Sequence, residues 1–144
     1  MLKIEFPAYT PLIKTEKSKE YIFDTFRKQW ILLTPEEWVR QNFLNYLIET
    51  KKYPPALIAI EKEIKLNGLK KRFDILVYQS NMQPWMVIEC KEMDVPLTNK
   101  VIEQVLNYNI ILQTQFAVIT NGVNTCAYQL SNGKMHAIEV LPAF

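Results

Sequence analysis

The sequence predicts one α/β or α+β domain, and two observations support that prediction. The chain has 144 residues, enough for one domain with a real core and too few for a second. Runs with helical and strand periodicity follow one another in the order α-β-β-β-α-β-β-β, which favours a mixed sheet with helices packed against it. We therefore treat residues 1–144 as a single domain.

The first 31 residues are predicted to form an N-terminal arm or extension. Pro7 and Pro11 keep its start irregular. The run Tyr21-Ile22-Phe23, surrounded by lysines, is also compatible with an edge strand. Both possibilities remain open for this segment.

A helix is predicted from residue 35 to about residue 50. Thr34 suits the N-cap, Pro35 the first helical position, and Glu37 the third position of a capping box. A buried stripe at spacings of three and four is expected to contain Val39, Phe43, Tyr46 and Leu47.

A β-hairpin is the strongest local signal in the chain. Residues 57–66 and 69–78 read as strands around the two-residue turn Asn67-Gly68. The turn pairs Leu66 with Leu69, Glu63 with Arg72, and Glu61 with Asp74, which places the four charged residues on one face. Two like charges directly opposite each other destabilise a sheet unless a cation lies between them.

The remaining elements alternate with clear turn signals. A third strand is predicted over residues 85–91 and a second helix over 98–113, the helix with a stripe of Val101, Val105, Tyr108 and Leu112. Three further strands, residues 115–120, 124–130 and 134–141, are separated by Asn-Gly turns.

Composition excludes several classes of protein. No apolar run approaches the roughly 18–20 residues that span a bilayer, and Glu5 lies where a signal peptide would be apolar. Two cysteines and one histidine exclude a disulfide framework and most structural zinc sites. We expect a cytoplasmic protein without a membrane partner.

The net charge of +2 hides an asymmetry between the halves of the chain. Residues 1–72 hold 14 Lys and Arg against 9 Asp and Glu (+5), whereas residues 73–144 hold 3 against 6 (−3). A basic half hints at contact with nucleic acid, although a solvated basic face is the commoner explanation.

Three polar side chains are predicted to converge on the sheet. Glu89 and Lys91 are two residues apart on one strand and share a face, and Asp74 joins them if its strand lies alongside. Carboxylate oxygens suit Mg²⁺ and leave positions for water and a substrate phosphate. A lysine beside them can orient the attacking water or stabilise an anionic transition state.

These residues resemble a known group of enzymes. Asp74, followed after 14 residues by Glu89-Cys90-Lys91, resembles the D…(D/E)-x-K core of the PD-(D/E)xK phosphodiesterases, the restriction-endonuclease-like nucleases. Gln104 and Tyr108 are similar to the Q-x-x-x-Y element of the RecB-like branch, and Glu37 to its upstream acid. With residues 33–41, 72–74 and 119–122, the ordered motifs resemble the N-terminal nuclease domain of type I restriction enzyme R subunits.

The resemblance implies a restriction-endonuclease-like α/β core and a set of site residues. The implied metal ligands are Asp74, Glu89 and the backbone carbonyl of Cys90, for Mg²⁺ or substituting Mn²⁺. Glu37 and, from the hairpin register, Glu61 are candidate further ligands. The candidate catalytic residues are Asp74, Glu89, Lys91, Glu37, Gln104 and Tyr108, and the candidate DNA contacts are Arg40, Arg72, Gln104, Tyr108 and Asn121.

The implied function is a Mg²⁺-dependent DNA endonuclease of restriction–modification systems. The sequence has no Gly-x4-Gly-Lys-Ser/Thr loop for nucleotide phosphates, so these residues encode no motor. Three alternatives remain: a stand-alone relative, an excerpt of something larger, or a chain that works with a motor or another restriction-system subunit in trans. One active site makes one cut, so a homodimer is a candidate. The alternative is a catalytically silent nuclease-fold module that binds DNA or a restriction-system subunit.

Several of these residues also have purely structural explanations. The explanations are a capping box for Glu37, an ion pair for Glu63 with Arg72, a helix surface pair for Gln104 with Tyr108, and a solvated strand end for Lys91. Cys90 is expected to point into the core as a small hydrophobe.

Overall fold

The computed structural model describes residues 1–144, apart from the side chains of Leu66 and Leu69. The elements in chain order are β1 (Ile13–Glu16), β2 (Lys19–Asp24), β3 (Gln29–Leu32), α1 (Pro35–Glu49), β4 (Ile58–Leu66), β5 (Leu69–Tyr78), β6 (Pro84–Cys90), α2 (Asn99–Leu112), β7 (Phe116–Thr120), β8 (Thr125–Ser131) and β9 (Lys134–Ile138). A short 3₁₀ turn, Pro55–Leu57, precedes β4.

A six-stranded sheet in the order β4-β5-β6-β7-β8-β9 forms the centre of the fold. Strands β6 and β7 are parallel, and the other neighbouring pairs are antiparallel. A parallel pair needs a crossover connection, and the segment that contains α2 provides it. The predicted α/β fold with a mixed sheet and flanking helices is confirmed.

The two helices cover opposite faces of this sheet. One face carries Ile75 and Ile88 and packs against α1, and the other carries Leu76 and Val87 and packs against α2. Successive residues of a strand point to opposite faces, which is why the two clusters form on either side. The helix residues in these clusters include Val39, Phe43, Tyr46 and Leu47 of α1 and Leu106 and Leu112 of α2.

The predicted stripe of α2 needs one correction. Its fully buried residues are Val105 and Asn109, whereas Tyr108 is only partly covered. Asn109 is buried because its amide donates to the carbonyl of Thr114 at 3.2 Å and so closes the helix end. No apolarity signal marks a buried asparagine of this kind.

Among the described residues, neither helix is long and apolar enough to cross a membrane.

Residues 13–32 form a separate three-stranded antiparallel sheet in the order β1-β2-β3. Lys17 and Ser18 both have positive φ at the first turn, as a two-residue turn between antiparallel strands requires. Ile22 and Asp24 of β2 are fully buried. The segment is therefore a folded sheet with one buried face, rather than an arm.

The hairpin β4–β5 has the predicted register, with one break. Glu63 pairs with Arg72 in the ladder, but its ion pair is with Lys70, at 3.4 Å. The ladder is interrupted at Glu61, where φ is +55°. A non-glycine residue with positive φ inside a strand is uncommon. Glu61 is also the residue that the sequence predicts to lie opposite Asp74.

Candidate active site

The place where β5 and β6 run side by side brings the two predicted acids together. Ile75 pairs with Ile88 across these antiparallel strands. Asp74, which precedes Ile75, and Glu89, which follows Ile88, are therefore neighbours. The backbone N–H of Cys90 donates to Asp74 Oδ2 at 2.8 Å. This hydrogen bond ties the aspartate side chain to the strand that carries Glu89.

Cys90 itself belongs to the core. Its side chain is fully buried in the cluster on the α1 face, on the side of β6 away from Glu89. Burial raises the pKa of the Cys90 thiol, which disfavours the thiolate needed by a nucleophile. The expectation of a small buried hydrophobe is confirmed.

Lys91 follows β6 directly and lies beside the same site. Its backbone N–H donates to the carbonyl of Thr120 on β7 at 2.8 Å. Burial raises the pKa of Glu89 and of Glu36, and the Lys91 ammonium charge opposes that rise in both. Lys91 is therefore within electrostatic reach of these carboxyls.

The Glu89 carboxyl is buried without a full set of partners. Its Oε1 has no hydrogen-bond partner among the described residues, and the Lys71 ammonium lies 3.9 Å from it. Burial, and next the negative charge of Asp74, raise the pKa of Glu89 to about 8. Burial and the Asp74 charge therefore favour the protonated form of the Glu89 carboxyl. An orphaned buried oxygen of this kind is available to a cation.

The guanidinium of Arg40, on α1, balances most of the other negative charge. It is buried and contacts Glu37 Oε1 (2.8 Å), Asp74 Oδ1 (2.8 Å), Glu61 Oε1 (2.9 Å) and Glu36 Oε2 (3.7 Å). Burial lowers the pKa of Arg40, but the Asp74 hydrogen bond and the other carboxylates outweigh burial and raise it overall. The sequence predicts that Arg40 contacts DNA, but in the structure its guanidinium forms ion pairs with these four carboxylates.

Arg40 also explains the break at Glu61. The sequence requires a cation between Glu61 and Asp74, and in the structure one guanidinium nitrogen, Nη2, contacts both carboxylates. The second oxygen of Glu61 lies 3.6 Å from Arg72. The cation that relieves the repulsion is thus an arginine of α1, and Glu61 is an arginine partner in this structure.

Glu37 has two roles that the sequence treated as alternatives. Its backbone N–H donates to Thr34 Oγ1 at 3.1 Å, which caps α1. Its carboxylate accepts from Arg40, from Arg27 at 2.7 Å and from Gln41 at 3.3 Å. The carboxylate therefore reaches the Asp74 side chain through Arg40 and does not complete the capping box.

The N-terminal sheet supplies a second arginine to this network. Arg27, in the turn after β2, bridges Glu37 and the buried Asp24. Asp24 also accepts the N–H groups of Phe26 at 2.7 Å and Arg27 at 3.2 Å, which fixes the turn. Neither residue belongs to a local motif, so sequence reasoning missed both.

Lys71, which no sequence motif singled out, connects Tyr108 to the site. The Lys71 ammonium lies 5.0 Å from the centre of the Tyr108 ring and 3.9 Å from Glu89 Oε1. Gln104, one helical turn before Tyr108, is exposed beside it. Tyr108 is thus connected to Glu89 through Lys71, and Gln104 lines the same surface as Tyr108.

The two remaining predicted DNA contacts differ in exposure. The Arg72 side chain is 62% exposed and forms an ion pair with Glu61 Oε2 at 3.6 Å, so its guanidinium reaches solvent. Asn121 is buried, and its amide is used by the loop that contains it, accepting from Val123 and Asn124 and donating to Val95. Asn121 therefore holds the loop from a buried position.

The donor set fits a magnesium ion held by two carboxylates. Mg²⁺ typically takes one or two carboxylates and keeps several waters; Asp74, Glu89 and the Cys90 carbonyl are the groups that could hold it here. The orphaned Glu89 Oε1 agrees with such a ligand. Among the described side chains, no group of three or more His, Cys, Asp and Glu is arranged around one metal position.

Comparisons with known proteins identify the family and a similar fold. The family described as type I restriction enzyme R protein N terminus matches residues 35–142. A fragment assigned as an HsdR subunit of a type I restriction enzyme from Vibrio vulnificus YJ016 is 22% identical, with a TM-score of 0.56 over 77% of this chain and 24% of that chain. The present chain thus spans about a quarter of that fragment.

A second structure is a protein of the DUF820 group from Anabaena variabilis ATCC 29413, assigned as a nuclease. It is 14% identical with a TM-score of 0.49, over 93% of this chain and 80% of that one. No curated protein matches the chain.

Replacing Arg40 by methionine should destabilise the fold strongly. The change leaves Glu37, Glu61 and Asp74 without their shared cation, and breaking a buried ion pair costs about 3–5 kcal/mol. The control is Arg72→Met, which removes an exposed partner of Glu61 and should cost at most about 1 kcal/mol. Urea denaturation measures both. Equal costs for the two variants would contradict the central role of Arg40.

The raised pKa of Glu89 predicts a pH dependence of stability in the absence of divalent cations. Between pH 4.5 and about 8 the folded chain keeps a proton that the unfolded chain releases, so the free energy of unfolding falls as pH rises through this window. Glu89→Gln should flatten the profile, whereas Glu63→Gln, on strand β4 of the same sheet, should not. Urea denaturation in EDTA checks this, and a Glu89→Gln profile as steep as the wild type would refute the assignment.

Proposed function

Because the chain belongs to the family of the type I restriction enzyme R protein N terminus, we propose that it is a Mg²⁺-dependent nuclease domain that hydrolyses DNA phosphodiester bonds. One observation carries the proposal: Asp74 and Glu89 are side by side on adjacent strands, with Lys91 at the strand end, and a buried Glu89 oxygen accepts no hydrogen bond among the described residues, although the Lys71 ammonium lies 3.9 Å away. Structural ion pairs alone do not require an unpartnered carboxyl oxygen.

In this proposal the strand pair holds the cation. Asp74, Glu89 and the Cys90 carbonyl would bind Mg²⁺, and Mn²⁺ is expected to substitute. Bound there, the ion would neutralise charge on the scissile phosphate and favour ionisation of an attacking water. The Cys90 N–H donates to Asp74 Oδ2 at 2.8 Å, so the Asp74 carboxylate would already be held in position when Mg²⁺ binds.

The surrounding basic residues would act on the phosphate. Lys91 would orient the attacking water or stabilise the negative charge of the transition state. Lys71, held between the Tyr108 ring and Glu89, can turn its ammonium group toward a phosphate oxygen. Gln104 and the exposed Arg72 lie where they could contact the DNA backbone.

Arg40 and Glu37 would act as positioning residues. Arg40 holds Asp74 Oδ1 while Glu37 holds Arg40, each at 2.8 Å. Arg40 therefore neutralises Asp74 until a divalent ion takes over part of that task. In this proposal Glu37 acts by holding the Arg40 guanidinium in place, rather than as the accessory acid that the resemblance implies.

The partners follow from the family and remain proposals. DNA is the proposed substrate, and a motor or another restriction-system subunit is the proposed partner. Cutting both strands would need two active sites, which a homodimer would supply.

A catalytically silent binding module is the second candidate, and a specific observation favours it. Both oxygens of Asp74 already accept hydrogen bonds, from Arg40 and from the Cys90 N–H. If that arrangement persisted in the presence of Mg²⁺, Asp74 would be a structural residue. The domain would then bind DNA or a restriction-system subunit without cutting.

Cleavage of supercoiled plasmid DNA with Mg²⁺ or Mn²⁺ tests the two candidates. Asp74→Asn and Lys91→Met should each lose at least about 10²-fold in rate, because each removes a charge used in the transition state. Glu63→Gln, which alters only an exposed ion pair of the same hairpin, should cleave like the wild type.

The outcomes separate the two candidates. Wild-type rates in both Asp74→Asn and Lys91→Met would contradict the nuclease assignment at these residues. DNA binding without divalent-dependent turnover by the wild type would support the silent module.

A further inference from the structure

One face of the N-terminal sheet carries aromatic side chains and lies outside the range matched by the family. The register places Tyr21 between Lys14 and Leu32, with Phe23 beside Trp30 in the next row. The opposite face is buried at Ile22 and Asp24. We call Tyr21, Phe23 and Trp30, with Lys14, the aromatic face. Trp30 is 38% exposed, and Leu32, on the same side of the sheet, is 44% exposed.

The rings of the aromatic face form a connected platform. Phe23 and Trp30 meet edge to face with centres 5.4 Å apart. The Lys14 ammonium lies 4.7 Å from the centre of the Trp30 ring and 5.9 Å from that of Tyr21. The same ammonium lies 3.3 Å from Glu16 Oε2 in an exposed ion pair, so a phosphate would compete with Glu16 for this cation.

Lysines surround this platform at both ends of β2. Residues 12–32 hold five Lys and Arg against three Asp and Glu. Arg27 is paired with the buried Asp24, so it adds no charge for a ligand. Lys17 lies in the turn before β2 and Lys28 in the turn after it, both exposed and with positive φ. The six residues of β2 span roughly 20 Å, about the reach of a few nucleotides.

We propose that the aromatic face binds single-stranded DNA, with bases stacked on Trp30 and Tyr21 and phosphates held by the surrounding lysines. Aromatic rings within a basic surface suit single strands, because only unpaired bases expose their faces for stacking. Duplex DNA would engage the lysines but not the rings. Lys14 would move from the Trp30 ring to a phosphate when a base stacks there.

This inference deepens the proposed function and rests on DNA being the substrate. The turn that carries Lys28 also carries Arg27, whose guanidinium is 2.7 Å from Glu37, and Glu37 holds the Arg40 that contacts Asp74. A strand on the aromatic face would therefore be anchored to the same network that positions the site.

Binding of a fluorescent 15-mer of thymidine to the full chain in EDTA tests the proposal without cleavage. Trp30→Leu should weaken binding by about 5- to 100-fold, the range expected for one lost stacking contact. Lys17→Asn combined with Lys28→Asn should reduce the slope of log affinity against log salt by about 1.4. Lys52→Asn is the matched control, an exposed lysine with positive φ far along the chain, and should bind like the wild type.

Three results would overturn the proposal. These are wild-type affinity of Trp30→Leu for the 15-mer, an unchanged salt slope in the double lysine variant, and equal loss of affinity by Trp30→Leu for a 15-base-pair duplex. Circular dichroism confirms that each variant is folded. Because binding in EDTA is measured without turnover, loss of 15-mer binding by Trp30→Leu and loss of plasmid cleavage by Lys91→Met are separate results, so the failure of this proposal is distinguishable from the failure of the proposed function.

Discussion

The contact of the Arg40 guanidinium with Glu37, Glu61 and Asp74 is the interaction on which the site depends. Three carboxylates meet at a buried position, and their mutual repulsion would exclude this geometry without a cation. An arginine suits that position because its planar group offers several fixed donors at once. Arg40 thereby fixes α1 against the hairpin and allows a carboxylate at position 74 to face Glu89.

The two central acids are neutralised in different ways. Asp74 has Arg40 at 2.8 Å, whereas Glu89 is buried beside Asp74 with its pKa raised to about 8 and an unpartnered oxygen. A divalent cation between them would replace a proton on one side and relieve an arginine on the other. Affinity for the cation should therefore depend on pH and on the strength of the Arg40 contacts.

Much of the fold could be predicted because its signals are local, whereas the charge network could not. The Asn67-Gly68 turn determines the hairpin register, and Thr34 with Pro35 determines where α1 begins. Asp74 and Glu89 were found because residue spacing on paired strands is regular. Arg27 and Lys71 were missed because each meets its partner only through tertiary packing. For the same reason, no pattern distinguished Arg40 as a partner of acids from Arg40 as a DNA contact.

A crystal structure of the chain soaked in Mn²⁺, with anomalous scattering used to locate the ion, tests the central claim most directly. We predict an anomalous peak in contact with carboxylate oxygens of both Asp74 and Glu89, with Arg40 still bound to Glu37. The contradictory result is a site without Mn²⁺ at a saturating concentration, in which Asp74 keeps its contacts with Arg40 and the Cys90 N–H unchanged.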